Sequence, residues 1–218
     1  MFRIGSFGRE REPRHILCLG AHCDDIEIGC GGALLRLLHT EAVQSVTWVV
    51  FSSDAVRERE ARESAYAFLG DTKQVDVIVK SYPDGFLPFH GSEVKQDFET
   101  FKRTVSPDLV FTHFRDDRHQ DHRLVSDLTW NTFRNHAILE YEIPKYDGDM
   151  GSPNVLVPLT ESVCRQKISS ILTSYKSQAA KPWFSEDVFL SLLRLRGMEC
   201  NAPSGYAEGF YCRKVVIG

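Results

Sequence analysis

The chain has no CxxC pair among its six cysteines, which stand at 18, 23, 30, 164, 200 and 212. They form no regular framework either, and Cys18 lies inside an apolar run. That excludes a disulfide scaffold, so the six read as reduced thiols of a cytoplasmic protein. The chain has no basic surplus: 26 Lys and Arg stand against 30 Asp and Glu, a formal charge of -4. Neither a nucleic-acid partner nor an anionic membrane surface is indicated. No apolar stretch approaches the length that crosses a bilayer. The first residues, MFRIGSFGREREPRH, hold no apolar core, so no secretory signal is expected. Internal repeats and low-complexity tracts are absent. What is present is ordinary for a globular protein: 218 residues, 42% apolar and 26% charged, enough to bury a sizeable core.

Residues 1–14 are polar and charged and predict a loose lead-in; 15–218 predict a single domain. HILCLGA (15–21), SVTWVVF (45–51), VDVIV (75–79) and LVFTH (109–113) read as strands. Helical spacing falls between them at 28–38, 55–69 and 92–104, and again at 121–134. YPDGF (82–86) is a turn signal. Single helices between nearly continuous apolar strands imply parallel βαβ units whose sheet is buried on both faces. The predicted fold class is therefore α/β, a Rossmann-like three-layer, doubly wound and mainly parallel sheet. Residues 142–160 hold three prolines and the turn-rich YDGDMG, and predict a long loop. Helices at 161–176 and 186–197 and a strand-like run at 210–217 complete the chain.

Two short polar stretches stand out. Ala21-His22-Cys23-Asp24-Asp25 follows the first strand, and Asp116-Asp117-Arg118-His119-Gln120-Asp121-His122 follows the fourth. Together they hold three His and five Asp. The first and fourth strands of a doubly wound sheet commonly adjoin where strand order reverses, and ligands bind outside the carboxyl ends there. His and Asp at this density suit a borderline divalent metal. A catalytic metal site uses three protein ligands, so the remaining groups are left for proton transfer or for donation to a developing oxyanion. A plainer reading exists for each stretch. Asp24 and Asp25 sit where N-caps sit, and Asp121 could cap the following helix. One such stretch alone is as well explained by capping; two at adjoining strand ends favour a metal. The glycines of GAHCDDIEIGCGG do not form a dinucleotide fingerprint, because Gly20 is followed only at Gly29 and the intervening aspartates would repel a pyrophosphate.

HILCLGAHCDDIEIGCGG resembles the AHxDD signature of the PIG-L/LmbE-like metal-dependent N-deacetylases, and RHQDH resembles their second signature, H-x-D-H. RERE-A with Leu69–Gly70, YPDG, SPDLVFTH, YKSQ and YAEGF are similar to further family segments in the same order. The likeness runs from about residue 14 to 213. Cys23 and Gln120 replace commoner residues without removing a functional group.

The resemblance implies roles that the residues alone left open. His22, Asp25 and His122 match the metal ligands, and Asp24 the general base. His119 matches the histidine that stabilises the tetrahedral intermediate, most useful as imidazolium, and Asp121 would orient a histidine. Arg57 and Asp84 match substrate-contacting positions. Arg118 is a further candidate for a substrate phosphate; its alternative is pairing with Asp116 or Asp117. For Arg57 the alternative is a solvated charge in a charge-rich helix, and for Asp84 a plain Pro-Asp-Gly turn. Tyr206 and Glu208 match the YAEGF-like piece without a derivable role. The implied cofactor is one divalent metal, zinc first, with iron(II) or cobalt(II) also accepted by such donors. The implied activity is release of acetate from an N-acetylated amino sugar or sugar conjugate, nucleotide-linked conjugates included. A metal-dependent amidase on a non-sugar acyl amine and a non-catalytic carbohydrate-binding subunit are the alternatives. The partner expected is a small sugar substrate, with no nucleic acid and no membrane span; assembly as a homo-oligomer is left open.

Overall fold

Side chains of a strand alternate between faces, and in the first strand both faces are apolar. Ile16 and Cys18 enter one cluster of the core, Leu17 and Leu19 the other, and all four are buried. The computed structural model describes residues 14–39, 43–70, 72 and 74–215. All but one residue of the expected lead-in, and the end of the expected last strand, lie outside them.

A seven-stranded sheet has the order β3-β2-β1-β4-β5-β7-β6. Its strands are β1 (His15–Gly20), β2 (Ser45–Ser52), β3 (Gln74–Tyr82), β4 (Leu109–His113), β5 (Ala137–Tyr141), β6 (Val155–Pro158) and β7 (Ala207–Tyr211). Neighbours among β1 to β5 run parallel, while β7 is antiparallel to both β5 and β6. The helices α1 (Asp25–Leu38), α2 (Ala55–Leu69), α5 (Glu161–Ser174) and α6 (Glu186–Glu199) pack on one face. On the other lie α3 (Gly91–Thr104) and α4 (Gln120–Thr132). This is the three-layer α/β arrangement expected, and order reverses between β1 and β4.

Two departures occur near the C-terminus. Residues 155–158 form β6 inside the expected loop, because pairing of Val155–Pro158 with β7 supplies what four residues cannot supply locally. The last strand ends at Tyr211 rather than running through Val215. The amide of Cys212 instead donates to the Asn154 side chain, which closes the ladder.

Helix α1 lies unusually close to the sheet. A Cβ at Gly29 would overlap the fully buried Tyr141 ring, and one at Gly32 would overlap Leu159. Glu208 accepts from the amides of Gly32 and Ala33 at 2.7 and 2.6 Å. Lys167 donates to the carbonyl of Ile28 at 2.7 Å and pairs with Glu208 at 2.6 Å. Glu208 of the YAEGF segment is thus a buried anchor for α1. Gly29→Ala should destabilise the protein by about 1–3 kcal/mol, the usual cost of overpacking. Urea unfolding checks this; a wild-type midpoint would mean that Tyr141 yields freely.

Candidate metal and catalytic site

The carboxyl ends of β1 and β4 adjoin, and the polar stretches that leave them meet there. After Gly20 the chain turns through His22–Asp24 into α1. The Ala21 amide donates to Nε2 of His113, the last residue of β4, at 2.9 Å. After His113 the chain runs to His119, whose Nδ1 accepts from the Asp121 amide at 3.2 Å and caps α4. The capping duties thus fall elsewhere than expected. Asp24 precedes α1 but makes no side-chain capping bond, and Asp121 is not the N-cap of α4. Both carboxylates face the site instead.

Three donor atoms form a triangle. His22 Nδ1 lies 3.1 Å from His122 Nε2 and 3.3 Å from Asp25 Oδ2, and the last two are 3.6 Å apart. A tetrahedral ion with bonds of about 2.0–2.1 Å has ligands about 3.3 Å apart, so the triangle fits one. The tautomers fit as well. His122 Nδ1 is 2.9 Å from Asp117 Oδ2, which places a proton there and leaves the Nε2 lone pair inward. His22 Nε2 is 3.1 Å from Asp84 Oδ1 and 3.2 Å from Asp121 Oδ2, which turns its Nδ1 inward. His22, Asp25 and His122 are all buried.

The charges follow. Burial and the neighbouring His113 press the His122 pKa down to about 3, holding it neutral. Burial would also lower His22, but Asp25, Asp121 and Asp84 outweigh it and raise the pKa well above the ordinary value. Burial opposes ionisation of Asp25, yet His122, His113 and His22 hold its pKa well below the ordinary range. Burial and Asp25 raise that of Asp24, against Arg57. Asp24 Oδ1 lies 3.3 Å from Arg57 Nη2, while Oδ2 is buried without a protein partner.

The other expected residues divide. Arg57 is no solvated helix charge: it bridges Asp24 and Asp84, the latter at 3.2 Å. Asp84 pairs first with His22, which lowers its pKa to about 2. Asp121 holds the loop behind Asp84, accepting from the amides of Gly85 and Leu87 at 2.8 and 3.1 Å. The histidine it touches is His22. His119 has no carboxylate on its Nδ1, contrary to the expected imidazolium; burial and His22 lower its pKa. It is a neutral imidazole with its Nε2 proton free to donate. The Arg118 guanidinium is exposed and makes no ion pair among the described residues. Asp117 binds His122 and Lys145, and Asp116 binds Arg213.

Three participants carried no assigned role in the sequence reading. Asp117 was counted in its stretch but not distinguished from Asp116. His113 stacks on His122 with centroids 3.9 Å apart and lies 3.2 Å from Asp25; its signal was a histidine closing an apolar strand. Lys145, 2.8 Å from Asp117, belongs to the turn-rich segment and had no signal.

Behind the His22–Asp25 turn lies a buried acid. The Tyr175 hydroxyl is 2.5 Å from the Cys23 carbonyl and 2.5 Å from Glu27 Oε1. The Tyr175 hydroxyl is the donor to both oxygens. Burial pushes the Glu27 pKa up to about 8 against that hydrogen bond. A carboxyl raised in the folded state favours folding below its ordinary pKa, and that contribution is lost as pH rises toward 8. Glu27→Gln keeps an acceptor and removes the titration. Its melting temperature should fall less than the wild type's between pH 5 and 8; parallel curves would mean that Glu27 is ionised in the fold.

The comparisons agree with this geometry. The family model described as "PIG-L: GlcNAc-PI de-N-acetylase" matches residues 17–133, more than half the chain. An Escherichia coli K12 protein described as "Uncharacterized deacetylase YaiS" is 30% identical over 139 residues, 59% of this chain and 74% of that one. The N,N'-diacetylchitobiose deacetylase of Pyrococcus horikoshii superposes with a TM-score of 0.73 at 21% identity, covering 96% of this chain and 87% of its own. GalB of Pseudomonas putida KT2440, a 4-carboxy-2-hydroxymuconate hydratase, superposes at 0.72 with 17% identity, covering 94% and 98%. The fold alone therefore hosts more than one reaction, and the sequence match is what discriminates. With both signature stretches inside that match, the chain belongs to the PIG-L family of de-N-acetylases.

Proposed function

We propose that the protein hydrolyses the N-acetyl group of an amino sugar or sugar conjugate, with His22, Asp25 and His122 holding one divalent ion, zinc in the first place. The observation that carries this reading is the triangle of His22 Nδ1, His122 Nε2 and Asp25 Oδ2, beside an Asp24 oxygen with no protein partner. Iron(II) and cobalt(II) accept the same donors. Such an ion polarises the amide carbonyl and lowers the pKa of water.

The residues divide the remaining work. Asp24 takes the proton of the attacking water. Arg57 opposes the rise that burial and the charge of Asp25 impose on the pKa of Asp24. His119 donates its Nε2 proton to the oxygen that gains charge as the carbonyl becomes tetrahedral. The proton held by Asp24 then leaves with the amine, so water and amide yield acetate and a free amine. Asp84 and Arg57, at the mouth, meet the sugar; Arg118 reaches an anionic substituent where the substrate carries one. Residues 15–218 act as one catalytic unit, since all seven strands belong to one sheet. No helix among the described residues is long and apolar enough to cross a membrane. None of the cysteines is paired, which supports a cytoplasmic location.

Acetate release from a panel of N-acetylhexosamine derivatives and simple N-acetylamines tests the reading; turnover of the simple amines alone would overturn it. Two variants separate the roles. His122→Ala should lose the metal in elemental analysis while its circular dichroism stays native; full metal occupancy would reject the ligand assignment. Asp24→Asn should keep the metal and lower kcat by roughly 10²–10⁴, the usual worth of a general base. Near-wild-type turnover would move the base elsewhere.

A further inference from the structure

The segment Tyr175-Lys176-Ser177-Gln178 lies on the far side of the core from His119 in sequence, more than forty residues beyond the matched region. It nevertheless reaches the turn that opens α1 and the helix α2 that carries Arg57. Tyr175 follows α5 and is fully buried in the cluster that packs α1, α2 and α5 together. Its hydroxyl donates to the carbonyl of Cys23, the residue between His22 and Asp24. Two residues on, the Ser177 amide and hydroxyl both donate to Glu60, at 2.9 and 2.6 Å. Glu60 lies one helical turn after Arg57, on α2. One short hook thus grips the turn that presents His22, Asp24 and Asp25, and the helix that presents Arg57.

The turn is tied to the sheet at Ala21, whose amide donates to His113 and whose carbonyl accepts from the Ser52 amide, and to α1 through the Asp24 carbonyl, which accepts from the Ile28 amide; Tyr175 is the anchor between them. His22 and Asp25 bond to each other through the His22 amide and Asp25 Oδ2, at 2.6 Å, which sets their mutual geometry and not their place on the sheet. The Cys23 thiol reaches the Ser52 carbonyl only at 3.5 Å. A thiol is a weak donor, so the phenol at 2.5 Å is the stronger restraint. Without it the Cys23 carbonyl loses its hydrogen bond, which loosens the middle of the turn, where Asp24 faces Arg57 and His22 and Asp25 flank it.

We propose that Tyr175 is a positioning residue, which holds the His22–Asp25 turn in metal-binding register through the Cys23 carbonyl while Ser177 holds Arg57 to it through Glu60. The proposal rests on the deacetylase reading for its consequence in catalysis, and on geometry alone for its consequence in metal binding.

The test uses the full chain, stripped of metal and titrated with Co²⁺ against a competing chelator, with the visible Co²⁺ spectrum as a second readout. Tyr175→Phe keeps the ring and the packing and removes only the hydroxyl. It should weaken Co²⁺ binding by about 10–100-fold, as loss of an outer partner does, and alter the spectrum. On a turned-over substrate it should lower kcat at least tenfold with KM within twofold. Ser177→Ala should move Co²⁺ affinity in the same direction by several-fold, and it decides the matter should Tyr175→Phe not fold. A Tyr175→Phe protein with wild-type Co²⁺ affinity and spectrum, changed only in melting temperature, overturns the proposal and leaves Tyr175 a packing residue. Wild-type affinity in Ser177→Ala overturns the arm through Glu60. If wild type releases no acetate from any sugar yet Tyr175→Phe still loses Co²⁺ affinity, the deacetylase reading fails and the positioning role stands.

Discussion

Everything at the site depends on how two imidazole rings are turned. His22 turns Nε2 toward Asp84 and Asp121, and His122 turns Nδ1 toward Asp117. Nδ1 of His22 and Nε2 of His122 thereby face inward, onto the point that Asp25 also faces. Rotating either ring by a half-turn would put a ring carbon at that place and leave a buried carboxylate unpaired, at a cost of about 1–3 kcal/mol or more for a charged group. The outer carboxylates are in turn held from outside. Asp121 accepts two backbone amides of the loop at 85–87, and Asp117 accepts the His119 amide and Lys145. Loop, turn and helix start are thus one hydrogen-bonded body.

The sheet makes this possible. β1 and β4 are neighbours, yet they are separated by almost a hundred residues. Their carboxyl ends deliver His22 and His122 to within hydrogen-bond reach of each other. The close seating of α1 on Tyr141, which Gly29 allows, sets where Asp25 begins that helix. The Tyr141 hydroxyl donates to the Leu19 carbonyl at 2.6 Å, so the residue that α1 packs on is itself tied to the end of β1.

How much of this was legible in the sequence follows from whether the cause is local. α2 and β4 begin and end where their patterns begin and end, because Asp54 caps the one and Ser106–Pro107 precedes the other. The meeting of the two polar stretches was legible because strand order in a doubly wound sheet is a general rule. β6 was not, because Val155–Pro158 is a strand only through its pairing with β7 fifty residues later. Asp117 and Asp116 are indistinguishable neighbours in sequence; the fold turns one inward to His122 and the other outward to Arg213. The charge of His119 was misread for a related reason. Its spacing from His122 was visible, but not that its Nδ1 is spent on capping its own helix, or that His22 stands beside it.

Asp24 and Asp25 show why adjacent identical residues need not share a task. Both are buried, and burial alone would drive both toward the neutral form. Asp25 points into three imidazoles, which hold it ionised and therefore fit to bind a cation. For Asp24, burial and the charge of Asp25 outweigh Arg57 and His22, so its affinity for a proton rises. Neighbouring groups whose pKa values are driven in opposite directions suit different tasks, and here the two groups are one peptide bond apart. The structural requirement is that the turn keep its two carboxylates on opposite sides. At the N-cap of α1, a side-chain capping bond would have spent that carboxylate on backbone amides. Asp24 makes none, which leaves the oxygen free, and it is the clearest local sign that this junction was shaped by chemistry rather than by helix stability.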